Sequence, residues 1–108
     1  MKSIKTVLLA LCTAALLAGP AMAQSAGDAN KEYMASMEKM NKQMMEATDP
    51  DPAKSFAKKM IVHHQGAIDM SQIVLKHSKD EEIIKMAKKM IPQQEKDIKE
   101  LKDWLAKH

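Results

Sequence analysis

The stretch MIVHHQGAIDM, Met60 to Met70, decides the fold. It shows no alternation of period two and reads as the middle of a helix. Met60 precedes His63 and His64 by three and four positions, the spacings that make neighbours on a helix surface. With Ala67, Met70, Val74 and His77 these residues fall within an arc of about 140° on a helical wheel. His63, Met70 and His77 form a line at heptad spacing. A helix that gives its inward-looking face to imidazoles and thioethers is using those positions for more than hydrocarbon packing.

Working outward, Asp51-Pro52 supplies an N-cap followed by proline at the first helical position. The central helix is therefore expected from Pro52 to His77 or Ser78. Gly66 inside it costs about 1 kcal/mol against alanine, which suits a place where another helix approaches closely. Thr48-Asp49-Pro50-Asp51-Pro52 is a breaker, since each proline steers the residue before it away from helix. Upstream, Asp28 or Asn30 is expected to cap a first helix ending near Ala47. Its Tyr33, Met34, Met37, Met40, Met44 and Met45 also share an arc of about 140°. Downstream, Asp80 caps a third helix that ends near Ala106, with Glu81 and Glu82 favourably placed at its positive end. Ile83, Ala87, Met90, Ile91, Gln94, Ile98, Leu101 and Leu105 make its apolar stripe, and Pro92 is expected to kink it. The fold class is all-α: a small three-helix bundle running up, down and up.

The first 23 residues are read as a secretory signal peptide. Lys2 and Lys5 precede an apolar run from Thr6 to Leu17, and Ala21-Met22-Ala23 precedes cleavage before Gln24. The run is shorter than the roughly 20 residues that span a bilayer, so no stable membrane insertion is expected. Leu11 before Cys12 argues against lipidation. Residues 24–108 are then a single helical domain of 85 residues without cysteine. Its location would be periplasmic. Fifteen lysines against 14 carboxylates leave this part nearly neutral, and the chain has no arginine. No basic stripe or bidentate arginine is present to read nucleic acid, so none is expected as a partner.

Nine of the eleven methionines lie in residues 24–108. Thioether sulfur is soft and needs no deprotonation. With imidazole it suits copper, Cu(I) above all, with Cu(II) and Ag(I) also in range. Cysteine thiolate binds Cu(I) too, but outside the cytoplasm it is exposed to oxidation. Imidazole must be neutral to bind, so affinity is expected to fall in acid. Adjacent helical residues diverge by about 100°, so His63 and His64 do not converge on one ion. His63 and Met70 are about 10 Å apart along the axis. The expectation is at least two half-sites. Met60, His63, His64, Met70 and His77 form the main metal-ligating set, completed by Met37, Met40, Met44 or Met45 from the first helix and Met86 or Met90 from the third.

Each member also has an ordinary reading. Methionine fills gaps in cores. His64 would serve as a satisfied core histidine, His77 would oppose the helix dipole, and Gln94 would hydrogen-bond between helices. The joint pattern is more specific than its parts. No Glu-x-x-His di-iron donor set, His-Glu-x-x-His zinc motif or haem attachment motif occurs. A binding module is expected, not an enzyme. The competing class is a methionine-rich helical interaction or chaperone-like module without a metal role.

Three stretches, FAKKMIVHHQGAIDM (56–70), QIVLKHSKDEEIIKMAKKMI (72–91) and QEKDIKELKDWL (94–105), resemble the DUF305 family. The resemblance covers about Asp49 to Leu105. It implies a ferritin-like helical bundle. Members of the CopM type are exported copper-binding proteins that contribute to copper resistance, which implies copper as cargo and a copper exporter or another periplasmic copper protein as partner. By position, Met60, His63, His64 and Met70 match the family's metal-associated motif, and His77 its following histidine. Asp97 stands where many relatives have Glu, Leu101 where many have Met, and Pro92 is unusual in that helix. Dimerisation through the first helix is a further expectation, because a lone three-helix bundle of this size has little core.

Overall fold

The structure is a computed structural model and describes residues 19–108. The expected signal peptide falls mostly on residues 1–18, outside the described residues. Three helices follow one another: α1, Pro20–Glu46; α2, Pro52–His77; and α3, Glu81–Lys107. No strand occurs among the described residues.

The caps are local and follow the sequence. Asp51 accepts a hydrogen bond from Ala53 N at 2.8 Å, with Pro52 opening α2. Asp80 accepts from Ile83 N at 2.9 Å to open α3, followed by Glu81 and Glu82. α2 closes with Lys76 and His77 in its last turn, where cations oppose the exposed carbonyls. Between α1 and α2, Asp49 takes the Asp51 N–H at 2.9 Å and Lys58 Nζ at 2.7 Å, so one carboxylate ties the turn to α2.

One expected helix boundary needs correction. α1 begins at Pro20, not at Asp28 or Asn30. Proline at the first helical position presets the backbone, and the alanines after it propagate the helix through Gly27. α3 runs unbroken from Glu81 to Lys107 with Pro92 inside it. The missing N–H costs one hydrogen bond, and the flanking turns hold the helix together.

Successive helices are antiparallel, but they do not close around a common core. α2 packs against both neighbours, while α1 and α3 share no close approach. The buried positions of α2 explain this. Ala57, Ile68 and Ser71 are buried on the side that receives α3. Gly66 is buried on the opposite side, where Met40 of α1 lies against it. The expected bundle is therefore an open layer with α2 in the middle.

Small residues hold the seams. Among the described residues the buried apolar side chains are Ala29, Ala57, Ile68, Ala87 and Ile98, and no large side chain is completely buried. Ile68 and Ile98 each contribute roughly 1.5–3 kcal/mol of burial, little for a chain of this length. Of the predicted α3 stripe, Ala87 and Ile98 are buried, and Ile91, Gln94, Leu101 and Leu105 are half-buried. Ile83 and Met90 are exposed.

Candidate metal site

The register between helices fixes which donors lie level. On the α1–α2 seam, Lys76 Nζ meets Glu32 at 2.5 Å, Lys39 Nζ meets Asp69 at 3.7 Å, and Lys59 Nζ donates to the Met44 carbonyl at 2.6 Å. This antiparallel pairing sets Met37 level with Met70, and Met44 level with His63. On the α2–α3 seam, Gln94 Oε1 accepts a hydrogen bond from His64 Nδ1, and the same register sets Met90 level with Ile68.

His64 is half-buried, and its bond to Gln94 gives its ring a defined role. With Nδ1 engaged by Gln94, Nε2 is the ring nitrogen left for a metal. Its groove is lined by Phe56, Met60 and His64 of α2 and by Asp97, Glu100, Leu101 and Trp104 of α3. The ordinary reading of Gln94 as an inter-helix hydrogen-bond former is correct, and its partner is one of the candidate ligands.

His63 stands beside His64 with ring centroids 6.2 Å apart and planes at 79°. The two rings diverge as the helical spacing requires. His63 is exposed, and so is Met70 one heptad further on, at 42%. They project from α2 between its two seams.

The remaining candidates separate into groups. His77 is held by α1: its Nε2 lies 2.8 Å from Glu32 Oε2 and its Nδ1 lies 3.2 Å from Ser25 Oγ. Lys76 and then His77 hold the Glu32 carboxyl below its usual value of 4.5. Both His77 nitrogens are thus engaged, two heptads from His63. Met40 is spent on packing, since a Cβ at Gly66 would sit 2.5 Å from its Sδ. Met44 is half-buried. Met34, Met37 and Met45 on α1 are exposed at 70%, 48% and 81%, and Met86 and Met90 on α3 at 57% and 46%.

These exposed side chains share one face of the layer. On the other face, Glu32, Ala35, Ser36, Lys39, Asp69, Gln72, Ile73 and Lys76 line a groove of mixed polar and apolar character between α1 and α2. Across the seam from that groove, α1 presents Met34 and Met37, with Met45 at its outer edge. α2 presents Phe56, His63 and Met70, and α3 presents Ile83, Met86 and Met90. One face of the layer carries the Lys76–Glu32 and Lys39–Asp69 pairs, and the other carries sulfur, imidazole and hydrocarbon, with Asp97 and Glu100 beside Phe56.

Among the described residues, no three His, Cys, Asp or Glu side chains gather to hold a metal ion. The residues missed in the sequence are Phe56, Glu100 and Trp104 beside His64. Their signal was present: Phe56, Met60 and His64 recur every four residues, as do Asp97 and Leu101, with Glu100 and Trp104.

No helix among the described residues is long and apolar enough to cross a membrane. A family model described as Domain of unknown function (DUF305) matches residues 4–105. No curated protein matches the chain. With nearly its whole length matched, the chain belongs to the DUF305 family.

Proposed function

We propose that this protein binds copper, Cu(I) foremost, as a sequestering or carrier module outside the cytoplasm. Cu(II) and Ag(I) are secondary cargo. The observation that carries this reading is the His64–Gln94 hydrogen bond. It prepares Nε2 of an imidazole for a metal in the groove that Met60 also lines. The second support is the face on which His63 and Met70 stand among methionines of all three helices. Thioether and imidazole together favour a soft monovalent ion over calcium, magnesium or manganese.

In mechanism, Met60 and His64 form one half-site and His63 with Met70 supplies donors for another. An ion held by few, neutral, exposed donors exchanges readily, which suits passage to an exporter by ligand replacement. The N-terminal signal read in the sequence supports an exported, periplasmic setting. The ferritin-like arrangement and the CopM-type role belong to this proposal as well.

The test is competition for Cu(I) against a chromophoric chelator, with wild type beside His63→Ala/His64→Ala and Met60→Leu/Met70→Leu. The proposal expects stoichiometric binding that each double variant weakens by at least tenfold. Unchanged affinity in both variants removes it, and favours the interaction-module reading that the exposed methionines also support.

A further inference from the structure

We infer that two copies of this chain associate through their methionine faces, and that the second copy completes the copper site on α2. The inference rests on the proposed copper role for its second half and on the fold alone for its first.

Among the described residues the layer lacks a cover. α1 and α3 lie on opposite sides of α2 and do not meet, so no described helix lies over the surface of α2 that carries His63 and Met70. Seven large apolar side chains of this face, namely Met34, Met37, Phe56, Met70, Ile83, Met86 and Met90, are 42–70% exposed. Together they leave on the order of 700 Å² uncovered, close to the ~800 Å² per partner of a standard interface. The cores of stable interfaces are apolar and poor in charge. The Lys76–Glu32 and Lys39–Asp69 pairs lie on the other face. Lys59 is spent on the Met44 carbonyl, and Asp97 and Glu100 flank the groove beside Phe56, so the charges of the methionine face lie around its apolar side chains. Near-neutral net charge after removal of the first 23 residues adds little repulsion between copies.

The donors point to a second copy rather than to an unrelated partner. Within one chain His63 and Met70 are about 10 Å apart along α2. A two-fold axis lying in the plane of the face stacks α2 on its own copy at about 8–10 Å, within reach of facing side chains. With the axis along α2, His63 faces its counterpart and Met70 faces its own. With the axis across α2, His63 faces the second copy's Met70. Both arrangements bring together donors that a single chain holds apart, and both cover the methionines of α1 and α3.

The test is sedimentation equilibrium on the purified, metal-free protein at micromolar concentration. Wild type is expected at twice the chain mass. Met34→Glu/Ile83→Lys, which charges the face on its two outer helices and leaves the groove of Met60 and His64 untouched, is expected at the chain mass. Gln72→Lys on the opposite face is expected to stay dimeric. Circular dichroism checks that each variant remains helical. If the charged variant loses helicity, cross-linking decides. In a Cys12→Ser background, Ala67→Cys is expected to form dimers with a short bis-maleimide, and Gln72→Cys is not. A wild type at the chain mass, or a dimer that survives both charges with Ala67→Cys unlinked, overturns the interface. Chelator competition is read separately: the monomeric variant is expected to bind Cu(I) at least tenfold more weakly. Dimer loss with unchanged affinity overturns the shared site.

Discussion

His64 and Gln94 are joined across the α2–α3 seam by a hydrogen bond from Nδ1 to Oε1. One contact both joins two helices and engages one ring nitrogen of a candidate ligand. Gln94→Leu removes the acceptor and leaves a half-buried N–H unpaired. A loss of about 1 kcal/mol in stability is expected, with Cu(I) affinity reduced about tenfold, the usual scale for losing an outer-shell partner. Gln94→Glu keeps an acceptor and should hold the affinity near wild type. Chelator competition and urea unfolding read the two effects independently.

At Gly66 the Met40 side chain of α1 lies directly against the α2 backbone. Alanine there gains about 1 kcal/mol in helix propensity but collides with Met40, and overpacking of this kind costs about 1–3 kcal/mol. The close contacts run from Sδ at 2.5 Å through Cγ at 3.2 Å to Cβ at 3.7 Å, so turning the terminal methyl alone does not relieve them, and Gly66→Ala should destabilise the protein. Introduced into a Met40→Ala background, the same change should stabilise it. A double-mutant cycle by urea denaturation reads the reversal of sign.

Asp49 gives the fold a dependence on acid. Lys58, and after it the Asp51 N–H, hold its carboxyl below the usual value of 3.8. Because the folded value is the lower one, the ionised carboxylate stabilises fully above 3.8, and that stabilisation is lost as the pH falls through the depressed value. Asp49→Asn should therefore be less stable than wild type at neutral pH, and the two should converge in strong acid. Thermal unfolding across the acid range tests this, and added salt should shrink the neutral-pH gap.

Pro92 sits on the exposed side of α3 and leaves the Lys88 carbonyl without its helical donor. Pro92→Ala should raise stability by about 1–3 kcal/mol, since proline in a helix interior costs about 3 kcal/mol. Urea unfolding measures the gain.

Much of the fold was legible because it rests on local chemistry. Asp51-Pro52 and Asp80 marked two helix starts directly, through caps made by the residues themselves. The start of α1 was misread because Asp28 and Asn30 look like caps, whereas Gly19-Pro20 is the true boundary. The flat arrangement was not legible. A wheel showed that Met60, His63, His64, Met70 and His77 share a broad arc, but not that α1 and α3 would take its two edges. That depends on where Gly66 and Ile68 meet their neighbours. As a result His64 lies in one seam, His77 is engaged by α1 in the other, and His63 and Met70 stand between.

The most direct measurement of the central claim is X-ray absorption at the copper edge on the Cu(I)-loaded protein. Coordination by soft donors on the α2 face predicts a shell of both sulfur and nitrogen, losing nitrogen in His63→Ala/His64→Ala and sulfur in Met60→Leu/Met70→Leu. A shell of oxygen and nitrogen alone, or one that neither variant alters, would contradict it.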